Sequence, residues 1–351
     1  MSDSGKDVMP RTKRVRANSD DPSSKKKLKA SISNTVDYIS QIQTSLENKQ
    51  VTDENGDKKR AFAISASVAN IKVKKDTSIA AAHNSNTEKN ENVTENLSAI
   101  STSISNILLS IEQELCTKLS KITFPSSIQY IYNPLEYAAE THAMYVHKYC
   151  TSIKKILFVG MNPGPWGMSQ TGVPFGEINM VRDWLQISGF VGKPLKEHPD
   201  RKVIGFQCTR SEVSGQRLWG LFRDLCESPE NFFKHTYMHN YCPYAFMDAK
   251  AKNITPAEIK GEAQRLLHEA CDKSLIDIIQ LLKVEIVVGI GNYAEKRAQI
   301  AAQTGGLSVQ VMVLRHPSPR AVGNNNWSVT ALKQLNDLKL LKYFEKASTT
   351  A

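Results

Sequence analysis

The sequence predicts an α/β fold: a four-stranded, mostly parallel sheet flanked by helices, behind a disordered N-terminal tail. Three observations lead there. Four short runs are mostly apolar, without regular alternation, as strands covered on both faces are. Longer stretches with helical spacing separate them, and parallel strands need such crossovers. Composition also changes abruptly near residue 105. Residues 1–110 hold only two aromatics, Tyr38 and Phe62, with two Pro, two Gly, 17 basic and 13 acidic residues.

A segment so poor in large apolar groups cannot offset the entropy of ordering, so residues 1–105 are expected to be disordered. One stretch departs from this. Ile32, Val36, Ile39, Ile42 and Leu46 recur at helical spacing, so 31–47 is expected to form a helix, on its own or on a partner. Arg11, Lys13, Arg14 and Arg16, then Lys25, Lys26, Lys27 and Lys29, form two basic clusters across a polar spacer. They read as a bipartite nuclear-import signal, which sets the expected location in the nucleus.

From residue 106 to 351 the pattern is globular. Ile107, Leu108, Ile111, Leu115, Leu119 and Ile122 predict a helix, and a second is expected from Leu135 to Tyr149. Lys155–Gly160 reads as the first strand, followed by runs at Thr236–Tyr241, Glu285–Ile290 and Val309–Leu314. Helices are expected near 177–187, 216–227, 256–282, 292–303 and 326–343.

The chain's 45 Lys and Arg against 35 Asp and Glu, a formal charge of +10, favour an acidic partner such as nucleic acid. No apolar run reaches the ~18 residues of a membrane span, so no membrane partner is expected. The first residues lack the apolar core of a secretory signal, so export is not expected. The six cysteines are scattered without a CxxC pair. That argues against a disulfide scaffold, a structural zinc or an iron–sulfur cluster, and for a reducing compartment.

In a parallel sheet, ligands bind beyond the carboxyl ends of the strands. Three unusual loops fall there. The first, Met161 to Gly176, reads MNPGPWGMSQTGVPFG; the second, His239 to Pro243, reads HNYCP; the third runs from His316 through Pro317, Ser318, Pro319 and Arg320 to Trp327. Asn162 can orient a small polar species without taking its proton. Phe175 offers a flat face to an aromatic ring, or packs in the core. Asn240 can pair with a base edge, or cap a turn. His316 can donate to negative charge growing on a leaving group, and Arg320 suits a phosphate. Gly289, Gly291 and Ala294 match a GxGxxA fingerprint, but the acidic residue expected about 20 positions later is missing. A tight strand-to-helix turn explains those glycines better.

The segments GMNPGPWGMSQTGVPFGE, SEVSGQRLWGLFRDLC, MHNYCP and LRHPSPR, in that order and spacing, resemble the single-strand-selective monofunctional family of the uracil-DNA glycosylase superfamily. The resemblance covers roughly 106–345. It implies a four-stranded parallel sheet between helices, no metal and no cofactor, and hydrolysis of the bond between uracil and deoxyribose. It implies that Asn162 positions the attacking water, Met161 gives backbone contacts to the base, and Phe175 stacks on it. Asn240 would then pair with N3 and O4, and His316 would stabilise the departing base. Gly164 would leave space near C5, so that 5-hydroxymethyluracil and other oxidised uracils are accepted. Pro317, Ser318, Pro319 and Arg320 would belong to the wedge that enters DNA. The sequence departs from the family's pattern at Trp166, where Phe is more usual, and after Arg320, where the segment is shorter and less basic. The expected partner is uracil-containing DNA, single- or double-stranded, bound by a monomer, with downstream repair proteins as further partners. A catalytically silent binder of damaged or single-stranded DNA is the alternative from another class.

Overall fold

The computed structural model describes residues 86–320 and 324–344. The expected helix over 31–47 and both basic clusters lie outside these residues. In chain order the elements are α1 (Asn86–Leu119), β1 (Tyr130–Tyr132), α2 (Pro134–Tyr137), α3 (Ala139–Tyr149), β2 (Ile156–Gly160), α4 (Met168–Thr171), α5 (Val213–Cys226), α6 (Pro229–Phe233), β3 (Thr236–Asn240), β4 (Ala245–Met247), β5 (Asn253–Ile254), α7 (Glu262–Leu282), β6 (Ile286–Ile290), α8 (Asn292–Thr304), β7 (Gln310–Leu314) and α9 (Trp327–Asp337).

The main sheet has the order β3-β2-β6-β7, and every pair in it is parallel. These are the four strands expected. All five residues of β2 and of β3 are buried. Successive side chains of a strand point to opposite faces, so both faces of these strands are covered. On one side Phe158 packs edge-on to Phe222 at 5.2 Å and stacks with Phe232 at 5.9 Å. Tyr145 of α3 stacks on Tyr237 of β3 at 5.4 Å and donates its hydroxyl to the Met238 carbonyl.

Three differences from the sequence reading have physical causes. Helix α1 begins at Asn86, so the boundary expected at 106 falls inside a helix. Ile104, Ile107, Leu108, Ile111, Leu115 and Leu119 are buried, and α1 packs on α7 and α3. Val93, Leu97 and Ile100 continue the helical spacing of Ile104 and Ile107 towards the N-terminus, a signal masked by the polar composition of the segment as a whole. The helix expected near 177–187 is a single π turn, Met180–Trp184. Its start is held by Met180 N donating to the Glu177 carboxylate, and Gln186 ends it in the left-handed region at φ 52°. A second, antiparallel sheet of order β1-β4-β5 was not expected, because strands of two or three residues show no period.

The GxGxxA turn is a packing device. A Cβ on Gly289 would lie 2.2 Å from the Glu295 amide, so only glycine lets α8 approach β6, and Gly291 turns the chain at φ 87°. All six cysteines are free thiols. Among the described residues no helix is long and apolar enough to cross a membrane.

Candidate functional site

Parallel pairing puts the carboxyl ends of all four main strands on one edge. Gly160 stands opposite Asn240, and Ile290 opposite Leu314. The pairing continues past the strands, since Tyr241 N donates to Gly160 O and Cys242 N to Met161 O, both at 2.9 Å. The loop carrying Met161 and Asn162 therefore leaves the sheet on a fixed path. Asn162 Nδ2 donates to the Tyr244 carbonyl at 3.1 Å, which leaves its Oδ1 as an acceptor.

Asn240 and Phe175 meet over the end of β2. A Cβ on Gly160 would lie 2.3 Å from Asn240 Oδ1 and 2.7 Å from the Phe175 ring. Asn240 is buried, and its Nδ2 donates to the Met168 sulfur at 3.1 Å. Phe175 adopts φ 52°, a left-handed conformation that costs a bulky residue about 1 kcal/mol or more. Pro174 and Gly176 on either side and Gly215 of α5 hold it there, for a Cβ on Gly215 would lie 2.1 Å from Phe175 O. The strain turns the ring to within 6.0 Å of the His316 ring, at 46°.

His316 is a neutral donor. Ser318 N donates to its Nδ1 at 3.0 Å, and burial pushes its pKa down to about 4. At neutral pH the one ring proton is therefore on Nε2. The backbone around it is clamped. Asn324 Nδ2 donates to His316 O and to Ser318 O, and Arg217 of α5 donates to Pro317 O and Asn324 O. Pro317 is buried, Ser318 half-buried, and Pro319 and Arg320 are exposed. The strand ends thus bring Asn162, Phe175, Asn240 and His316 to one edge, with Arg320 at the rim.

At Gly164 the structure adds a neighbour that the sequence reading did not include. The space before it is not empty. A Cβ there would lie 1.7 Å from Glu212 Oε1, and one on Gly167 would lie 2.0 Å from Glu212 Oε2. Glu212 precedes α5, and its Oε2 is buried without a partner among the described residues. Burial, with Glu177 nearby, pushes its pKa up to about 7.

Sequence reasoning also missed a buried charge network behind the site. His142 of α3 faces Glu112 of α1 at 2.7 Å through Nε2, and the Gly172 carbonyl at 2.9 Å through Nδ1. Only the imidazolium can donate to both. His239, next to Asn240, lies 3.5 Å from the other Glu112 oxygen. Burial opposes charge on Glu112, but His142 and His239 outweigh it and hold the carboxyl below its ordinary range. Burial likewise opposes the His142 charge, and Glu112 raises its pKa in spite of it. His239 is lowered, chiefly by burial. Gly172 ends α4, three residues before Phe175. The network therefore ties α1 to both the Phe175 loop and β3. Isolated Glu and His residues on separate helices give no sequence signal for this.

An acceptor amide, a buried amide, an aromatic ring and a neutral imidazole donor can together hold a planar polar heterocycle and take up charge that leaves with it. Among the described residues no cluster of His, Cys, Asp and Glu could hold a metal ion.

Comparisons with known proteins give the family. Residues 147–339 match the model of the uracil DNA glycosylase superfamily. The single-strand selective monofunctional uracil DNA glycosylase of Mus musculus is 49% identical over 231 residues, 66% of this chain and 83% of that protein. The Bos taurus protein of the same name is 48% identical over 231 residues, 66% of this chain and 85% of that protein. The crystal structure of wild-type Pedobacter heparinus SMUG2 superimposes with a TM-score of 0.47 at 18% identity, covering 65% of this chain and 98% of that one.

Proposed function

Because the chain belongs to the uracil-DNA glycosylase superfamily, we propose that it is a monofunctional uracil-DNA glycosylase. It rotates uracil out of DNA, hydrolyses the bond between base and sugar, and leaves an abasic site. The supporting observation is the meeting of Asn240, Phe175 and His316 around the end of β2, with Asn162 on the adjoining loop.

A base inside a duplex is unreachable, so it must leave the stack at a cost of a few kcal/mol. Stacking on Phe175 returns roughly 1–3 kcal/mol of this. Met161 adds backbone contacts, and the Asn240 amide pairs with N3 and O4 of uracil, which cytosine cannot match. The sugar–base bond then breaks with positive charge on the sugar and negative charge on the base. His316 Nε2–H points its proton at the departing base and lowers that charge's energy without having to be ionised. One preorganised donor in a dry site is typically worth about 3–4 kcal/mol. Asn162 Oδ1 orients the water that attacks the sugar, an orienting task that needs no strong base. No Lys stands in the three loops to form a Schiff base, so the enzyme does not itself cut the strand.

The substrate range extends to uracils with an oxidised C5 group, 5-hydroxymethyluracil among them. Gly164 supports this, because the polar carboxyl of Glu212, not a bulky ring, borders that position. The exposed Pro319 and Arg320 suit the rim that enters DNA. The protein works as a monomer on single- and double-stranded DNA in nuclear base-excision repair, passing its product to downstream repair proteins. The basic clusters in the first thirty residues carry the nuclear assignment.

The test is an end-labelled oligonucleotide with one uracil, incubated without metal and then treated with alkali. Breaks made by the native chain and lost in Asn162→Ala support the proposal. Binding without breaks supports the silent DNA binder and overturns it.

A further inference from the structure

The loop between Asn162 and Phe175 carries a second cluster that the base site does not use. Trp166 lies in it, half-buried. The guanidinium of Arg201 stands over its ring at 5.2 Å from the centroid, and that of Arg210 at 4.5 Å. Two like charges on one indole repel each other, yet neither is neutralised. Among the described residues the arginines in ion pairs are Arg182, Arg223, Arg265 and Arg297. The one side-chain hydrogen bond of Arg201 runs to the carbonyl of its neighbour Asp200. Arg210 is exposed, and Arg201 half-exposed.

The cluster is built, with each part anchored from below. The buried Gln170 side chain donates to Pro165 O and Lys202 O and accepts from Ile204 N, which staples the Trp166 loop to the Arg201 segment. Tyr132 donates to the Arg201 carbonyl at 3.0 Å. On the other side, the Glu212 carboxyl wedged against Gly164 and Gly167 fixes the chain two residues after Arg210. Two cations are thus held beside one ring, on the loop that joins Asn162 to Phe175, and guanidinium groups of this kind suit an anion.

We propose that Arg201 and Arg210, carried on the ring of Trp166, receive the phosphodiester backbone of the strand whose base occupies the site. This rests on the glycosylase reading for the identity of the anion. Guanidinium groups match phosphate oxygens in geometry as well as charge, and a cation–π contact holds them in place without discharging them. The strand that delivers a base to Phe175 and Asn240 passes over the loop that carries Trp166. The site positions the strand and leaves the bond-breaking step to the base pocket.

The experiment measures binding of a fluorescein-labelled, uracil-free single-stranded oligonucleotide across a series of KCl concentrations. It uses the full chain and the variants R201A/R210A, W166A and K121A. The double variant is expected to bind about ten-fold more weakly, with the slope of log K against log salt shallower by at least about 0.7, the loss of one single-strand phosphate contact. W166A keeps both charges and is expected to bind more weakly even so. Single-turnover excision of uracil by the double variant at saturating enzyme is expected to stay within about two-fold of the native rate. Native affinity and slope in the double variant, or an equal change in K121A, would overturn the proposal. If the native chain binds in this way but releases no uracil, the glycosylase reading fails and the phosphate site stands.

Discussion

At the scale of single residues, burial favours the uncharged form of two side chains, His316 and Glu212. His316 has its pKa lowered from the ordinary 6.5 to about 4 by burial. Between those values the unfolded chain binds the extra proton and the folded chain does not. This contribution to stability is therefore fully present above about 6.5 and lost as pH falls towards 4. For catalysis the same shift means that His316 does not titrate near neutrality. The pH profile of single-turnover uracil excision should show no His316-dependent limb near 6.5. An acid limb there that vanishes in His316→Ala would refute the neutral-donor assignment. Glu212 runs the opposite way. Its pKa is raised to about 7, so the folded chain binds the extra proton, and stability falls as pH rises from about 4.5 to 7. Glu212→Gln, uncharged and of the same shape, should melt a few degrees higher than the native protein at pH 8 and nearly equally at pH 5. Equal melting temperatures at both pH values would show that the carboxylate is not buried when charged. The convergence of Asn162, Phe175, Asn240 and His316 on one edge was legible in the sequence because each sits in or beside a loop of unusual composition at a strand end. Glu212 was not, for its partners are two glycines some fifty residues earlier, and contact between a side chain and a bare backbone leaves no pattern.

At the scale of elements, the sheet explains why those loops converge. Short, mostly apolar runs announced β2, β3, β6 and β7, and parallel order then forced their carboxyl ends to one edge. What no periodicity announces is how the helices hold that edge in place. Glu112 on α1 and His142 on α3 form a buried ion pair that reaches the Gly172 carbonyl, and through it the strained Phe175. Removing one member leaves the other unpaired, so Glu112→Ala should destabilise the protein by about 3 kcal/mol in denaturant melts. The double variant with His142→Ala should cost clearly less than the sum of the two single changes. Additive losses would show that the two residues act separately. The pH signs agree with a pair. The raised His142 contributes fully below about 6.5 and is lost as pH rises through its folded value. The lowered Glu112 contributes above about 4.5 and is lost as pH falls.

At the scale of the whole molecule, the compositional break near residue 105 does not coincide with the start of helix α1 at Asn86. Ile104 is buried and the helix extends back to Asn86, through a segment whose Val93, Leu97 and Ile100 keep helical spacing but which has no aromatic residue. A chain beginning at residue 106 should melt several degrees below one beginning at 86, because it loses the buried Ile104 and the helical turns before it. Equal melting temperatures would place the working boundary at 106. For location, deletion of residues 1–30 should spread the protein into the cytoplasm, and unchanged nuclear enrichment would refute the import reading. The central claim is that one sheet edge holds a pyrimidine base and draws charge out with it. It is tested most directly by the single-turnover rate of free uracil release from an oligonucleotide, with binding of the same oligonucleotide measured alongside. His316→Ala is expected to slow release by about 100- to 1000-fold while binding stays near native. Release by His316→Ala at the native rate, or no release by the native chain, would contradict it.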